Sequence, residues 1–184
     1  MAGVTALLMC AGPFTAEVWG QRTMRGESFV SAGVHTPFMS PYGWGASLSY
    51  GQYLLGAYWN AGLTATGYTF TRGDGLPSEY VHAGAFGEWM YRLAGTRSRA
   101  LSVYAGGGAF IGYEAEDPWQ RLSEWESPGF PDGSFLYGLW PAVELEIFPM
   151  RRLALVFTGR APVNFTSPHG WLHLQAGAGI RLNL

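Results

Sequence analysis

Residues 172–184 alternate without a break. Leu172, Leu174, Ala176, Ala178, Ile180, Leu182 and Leu184 share one side, and His173, Gln175, Gly177, Gly179, Arg181 and Asn183 share the other. A period of two is the repeat of a β-strand with two unlike faces. The same repeat sets Leu101, Val103, Ala105, Ala109 and Ile111 against Ser102, Tyr104, Phe110 and Glu114. It sets Val143, Leu145 and Ile147 against Glu144 and Glu146, and Val81, Ala83, Ala85 and Trp89 against His82, Glu88 and Arg92. Read along the whole chain, it predicts eight strands, at about 28–36, 43–52, 55–70, 80–93, 99–114, 134–148, 153–164 and 171–184. An even number of antiparallel strands suits an up-and-down barrel.

The two faces decide which side meets lipid. Charged residues make up 13% of the chain, against roughly 25% in ordinary soluble domains. Yet no stretch beyond the N-terminus is long and apolar enough for a spanning helix, which needs ~18 such residues. A chain that meets lipid without spanning helices must close its backbone hydrogen bonds as a barrel. The polar faces carry Glu88, Arg92, Glu114, Glu144, Glu146, Arg160 and Arg181. Turned inward in an eight-stranded barrel, whose interior is just filled by side chains, these residues are expected to form an ion-pair network. Arg160 and Arg181 are expected to take Glu144, Glu146 or Glu114. A soluble sandwich or a lipocalin-like barrel would wet these faces and join the apolar ones in a core.

Connection lengths favour the membrane reading. Tight turns are expected near 52–54, 94–98 and 149–152, and longer loops near 36–42, 71–79, 115–133 and 165–170. Such alternation is that of an outer-membrane barrel with both termini in the periplasm. Trp44, Trp59, Trp89, Tyr91, Trp140 and Trp171 fall toward strand ends, where interfacial aromatic girdles belong.

The N-terminus reads as an address. A short apolar run over residues 4–11 is followed by Gly12-Pro13, and Val18-Trp19-Gly20 precedes Gln21. This fits a signal peptide over residues 1–20, with a single barrel domain over 21–184, although residues 1–3 lack the usual positive charge. The chain's one cysteine, Cys10, lies within that run, so lipidation there is the alternative reading. Without further cysteines, disulfides and thiolate metal sites are excluded from the rest of the chain.

No catalytic or metal constellation is expected, and no cofactor. His35, His82, His169 and His173 lack metal-ligand spacing. Asp117, Glu124, Glu126 and Asp132 lack the spacing of a calcium loop and are interrupted by prolines. Ser31, His35 and Asp74 are the residues a lipid-modifying enzyme would have to use, but nothing in their spacing demands it. A net charge of −2 with no lysine provides no basic footprint for nucleic acid. What remains is the rims. Trp119, Trp125 and Phe130 sit among prolines and carboxylates in the longest loop and form a candidate partner-binding surface, while Arg97, Arg99, Arg151 and Arg152 on the tight turns are candidate periplasmic contacts.

Several stretches, taken in order, carry a family resemblance. They are Gln21-Arg22, YAGGGAFIGYE at 104–114, ELE at 144–146, RLALVFTGR at 152–160 and AGAGIRLNL at 176–184. Through them the chain resembles the conjugative transposon protein TraO of Bacteroidetes. Leu184 departs from the aromatic residue with which such barrels often end. The resemblance implies a signal-bearing component of a conjugation apparatus, working with other conjugal transfer proteins at the cell envelope, in contact with outer-membrane lipid. A small outer-membrane barrel for adhesion or membrane integrity is the alternative function.

Overall fold

The computed structural model describes residues 26–37, 43–71, 77–96, 100–116, 133–150, 152–166 and 172–184. They form nine β-strands: β1 (Ser28–Pro37), β2 (Trp44–Leu54), β3 (Ala57–Thr71), β4 (Pro77–Gly95), β5 (Leu101–Glu116), β6 (Gly133–Met150), β7 (Leu153–Arg160), β8 (Val163–Asn164) and β9 (Gln175–Asn183). Every pairing is antiparallel, and β5 pairs β6 to complete a ring that also joins β1 to β9. β7 and β8 both lie against β6, so they are one stave of the ring, interrupted at Ala161-Pro162. The result is an eight-stave closed up-and-down barrel. Among the described residues there is no helix.

The staves are staggered. From Glu27, whose carbonyl accepts the Tyr53 amide, the pairing passes through Tyr58, Met90, Gly106, Ala142, Arg160 and Gln175. It returns to β1 at Pro37, ten residues beyond Glu27. Such stagger tilts the strands and fixes the barrel's width. With eight staves, that width is one that side chains fill.

The tight turns all fall at one end. Leu55 and Gly56 join β2 to β3, with Gly56 at a φ of 72° that suits glycine. Residues 96–100 join β4 to β5, and 151–152 join β6 to β7. The longer connections, 38–43, 72–76, 117–132 and 165–174, fall at the other end.

The faces are inverted relative to a soluble domain. Leu48, Leu63 and Ile111 are 57%, 65% and 57% exposed on the outside, while Glu88, Glu114, Glu144, Glu146 and Arg181 are buried inside. Aromatic side chains flank the outer apolar band. Tyr50, Trp59, Trp89 and Tyr91 lie toward the turn end, with Tyr50 packed edge-on to Trp59. Trp44, Tyr113, Phe135, Tyr137 and Phe165 lie toward the loop end. Trp140 departs from the girdle expectation. It shares the inward side of β6 with Glu144 and Glu146 and is buried, while the neighbouring Pro141 faces out.

Candidate functional site

The lumen holds two charged layers above an aromatic floor. At the turn end, Phe29 from β1, Tyr53 from β2 and Tyr58 from β3 pack ring against ring, with centroids 4.9–5.9 Å apart. Tyr104 from β5 stands 5.0 Å from Tyr58. Arg181 lies on this floor, its guanidinium carbon 4.3 Å from the Phe29 ring centre and 4.6 Å from that of Tyr58. Cation–π attraction grows in such a desolvated setting.

Every edge of the Arg181 guanidinium is used. Nε donates to Ser31 Oγ at 3.0 Å, Nη1 to Glu146 Oε1 at 2.8 Å, and Nη2 to Glu144 Oε2 at 3.2 Å. Tyr53 donates its hydroxyl to the same Glu146 oxygen. Glu144 and Glu146 can share one arginine because they are two apart on β6 and so project from the same face.

The second layer is built on Glu88 of β4. Arg160 Nε lies 2.8 Å from its Oε1, and Arg160 Nη2 donates to its Oε2 at 3.0 Å. The Trp140 indole donates to Oε1 at 2.8 Å. Phe110 stacks on Trp140 at 5.0 Å, and Arg160 sits 5.4 Å from the Phe86 ring centre. Gly108 makes room for this layer, since a Cβ there would come within 2.8 Å of Trp140 Nε1 and of Glu88 Cγ.

Toward the loop end, Tyr68 donates to Glu114 Oε1 at 3.0 Å. His35 Nε2 lies 2.8 Å from Thr66 Oγ1. To reach β3 from β1, the imidazole crosses β2 at Gly45, where a Cβ would come within 2.3 Å of its Nε2.

The seven charges read from the sequence are thus divided. Arg181 takes Glu144 and Glu146. Arg160 takes Glu88, not the Glu144, Glu146 or Glu114 expected for it, because the two side chains, three staves apart on β7 and β4, point into the lumen at the same depth and meet there. Glu114 meets a tyrosine, and Arg92 turns to the Thr96 carbonyl at 3.3 Å beside the β4–β5 turn. Ser31 and His35 spend their hydrogen bonds on Arg181 and Thr66 and not on each other. Among the described residues, no group of His, Cys, Asp and Glu could hold a metal ion. Arg152 is exposed at the β6–β7 turn. Arg97, Arg99, Arg151, Trp119, Trp125, Phe130, Asp74, Trp171 and the segment 1–20 lie outside the described residues. The aromatic floor, which the sequence reading missed, was signalled by Phe29, Tyr53, Tyr58 and Tyr104, since each falls on the polar side of its strand's alternation.

Three solved structures share this fold. Neisserial surface protein A (NspA) is similar at a TM-score of 0.57 and 15% identity, covering 86% of this chain and 97% of that one. Ail, the attachment invasion locus protein of Yersinia pestis, solved with the heparin analogue sucrose octasulfate, is similar at 0.54 and 13%, covering 87% and 99%. The N-terminal β-barrel domain of Pseudomonas aeruginosa OprF is similar at 0.53 and 11%, covering 87% and 98%. At these identities the likeness is one of fold. No curated protein matches the sequence. A family model, that of the conjugative transposon protein TraO, matches residues 24–184, and the chain belongs to that family.

Proposed function

We propose that this conjugation-related barrel is a non-enzymatic component of a conjugative transfer apparatus, seated in the outer membrane after removal of residues 1–20. Its partners are other conjugal transfer proteins, met at the barrel's rims. The observation that carries this reading is the filled lumen: Arg181, Arg160, four carboxylates and stacked aromatics occupy the interior. A barrel so plugged offers its surroundings an apolar outer wall and two rims, and the wall is matched to lipid. Contact with the transfer machinery then falls to the outer loops, Trp119, Trp125 and Phe130 among them, and to Arg97, Arg99, Arg151 and Arg152 on the turns. Nucleic acid is not expected to bind directly, because the chain's net charge of −2 provides no overall basic footprint for it.

The test is an in-frame deletion in a conjugative element, complemented with the wild-type gene. Transfer frequency should fall sharply and recover on complementation, and the protein should fractionate with the outer membrane. Unchanged transfer alongside impaired adherence or envelope integrity would instead make this a general-purpose surface barrel.

A further inference from the structure

At the loop end, β3, β4, β5 and β6 run on past their neighbours. β2 stops at Trp44, which pairs Gly67, while β3 continues through Tyr68, Thr69, Phe70 and Thr71. On its other side β3 stays paired to β4 as far as Thr71 opposite Pro77. β4 and β5 pair as far as Tyr80 opposite Glu116, and β5 and β6 as far as Ala115 opposite Gly133. β8 leaves β6 much earlier, at Asn164 opposite Gly138. Trp44, 70% exposed, marks the loop-end girdle on β2, so the projecting sheet stands beyond the lipid band.

A projecting sheet has two edges. On β6 the edge is occupied: the Phe165 amide donates to the Tyr137 carbonyl at 3.0 Å, and the Thr166 hydroxyl donates to the Phe135 carbonyl at 2.8 Å. The edge on β3 is different. Gly56 gives its carbonyl to the Arg92 amide of β4, so even-numbered residues of β3 bond toward β4 and odd-numbered ones toward β2. The amides and carbonyls of Thr69 and Thr71 therefore point to the side where β2 has ended, and among the described residues no strand pairs with them. Gly43, the residue before β2, has its carbonyl held by the Thr36 hydroxyl of β1 at 2.9 Å. Residues 67–71 also carry no charge and no proline, the devices by which exposed edges are blunted.

Two donors and two acceptors in a row, outside the lipid, are complementary to another extended backbone. A second copy in the same membrane does not fit. Barrel strands tilt by roughly 35–45° from the axis, so the β3 strands of two barrels standing side by side cross at a steep angle and cannot form a ladder.

We propose that the β3 edge at Thr69 and Thr71 docks an extended segment of a partner transfer protein on the outer side of the membrane, which adds as a strand beside β3. The inference rests on the transfer role proposed above. The edge sets the partner's register and orientation, and the outer loops supply the rest of the contact.

The test has two arms. In the purified, refolded barrel, hydrogen exchange should be fast at the Thr69 and Thr71 amides and slow at Tyr68 and Phe70, whose amides bond β4. Protection at Thr69 and Thr71 would mean that the edge is already paired within the chain, and would overturn the proposal. In cells, the deleted gene is complemented with Thr69→Pro or Thr71→Pro. Each removes one edge donor without touching the β4 ladder or the lumen, so heat-modifiable mobility should be kept while transfer is lost. Transfer that needs the gene but is normal with both folded proline variants overturns the edge alone and leaves the transfer role standing. Transfer unaffected by deleting the gene overturns the transfer role itself, and this inference falls with it. Should the proline variants not fold, exchange in the wild-type barrel decides the matter.

Discussion

Arg181 on β9 reaches over β7 to bond Glu146 on β6 at 2.8 Å, with its guanidinium resting on the ring of Phe29. The arginine is 1% exposed and Glu146 is 0% exposed. This pair joins the first, second, sixth and last staves into one contact, because Ser31 and Tyr53 bond it as well. Closing the ring and burying the charge are therefore coupled.

Arg181→Met keeps the stem and removes the charge, leaving Glu144 and Glu146 buried without a cation. Breaking a buried pair from one side costs about 3–5 kcal/mol, and the loss here should fall in that range. Urea unfolding of the barrel in detergent measures it. Changing Glu144 and Glu146 to glutamine in the same chain should recover part of the loss.

Arg160 and Glu88 form the corresponding pair one layer up. Arg160→Ala strands Glu88 beneath Trp140 and should lower the temperature at which heat-modified mobility is lost. The effect should be smaller than at Arg181, because the Arg160 side chain is 12% exposed and water reaches it. A double-mutant cycle with Glu88→Gln should give a coupling energy of about 0.5–3 kcal/mol, as for residues in direct contact. Additive losses would mean that the two do not interact.

Gly108 and Gly45 are spacing devices for particular side chains. Gly108→Ala pushes a Cβ against Trp140 Nε1 and Glu88 Cγ, and overpacking of this kind costs about 1–3 kcal/mol. Gly45→Ala displaces His35 from Thr66. Both variants should refold with lowered urea midpoints. A neutral Gly108→Ala would mean that the indole does not hold its bond to Glu88.

Leu48 and Ser47 are neighbours on β2 that face opposite sides. Leu48→Arg places a charge on the lipid face, where it costs about 2–4 kcal/mol at the bilayer midplane. Ser47→Arg places the same charge in a carboxylate-rich lumen. The first should depress folding into lipid vesicles much more than the second. The reverse order would mean that the Leu48 side of β2, not the Ser47 side, faces the lumen.

The strands were legible because a two-sided strand writes its period directly into the sequence, and the charged inward faces follow from the same alternation. Two strand boundaries were misjudged for a local reason. A continuous strand over 153–164 breaks at Ala161-Pro162, where the proline has no amide to donate and the Ala161 amide bonds the Pro141 carbonyl. The last strand begins at Gln175, because the His173 amide turns to the Pro162 carbonyl. The choice of partners was not legible. Glu88 and Arg160 meet across the barrel, and only the stagger of the ring sets which inward residues share a depth. Trp140 was misplaced because nearness to a strand end says nothing about which face a residue takes. The alternation around Glu144 already put it inside.

The final prediction concerns the outer rim. Ala115 on β5 pairs Gly133 on β6, so the two strands meet directly below the longest connection. Removing 119–130 leaves Glu116, Asp117, Pro118, Pro131 and Asp132 between them, a length at which hairpins close readily. The strands carry the ion-pair layers and the aromatic floor, and none of these involves the deleted residues, so the shortened barrel should fold and show normal heat-modifiable mobility. Trp119, Trp125 and Phe130 go with the loop, and aromatic side chains offer a partner large contact area at low entropic cost. Transfer frequency should therefore drop although the barrel reaches the outer membrane intact. A folded, correctly fractionated protein that supports normal transfer would remove the outer loop as the working surface. Arg152→Glu at the opposite rim would then be the variant to make, with the same two measurements deciding whether the turn end meets the partner.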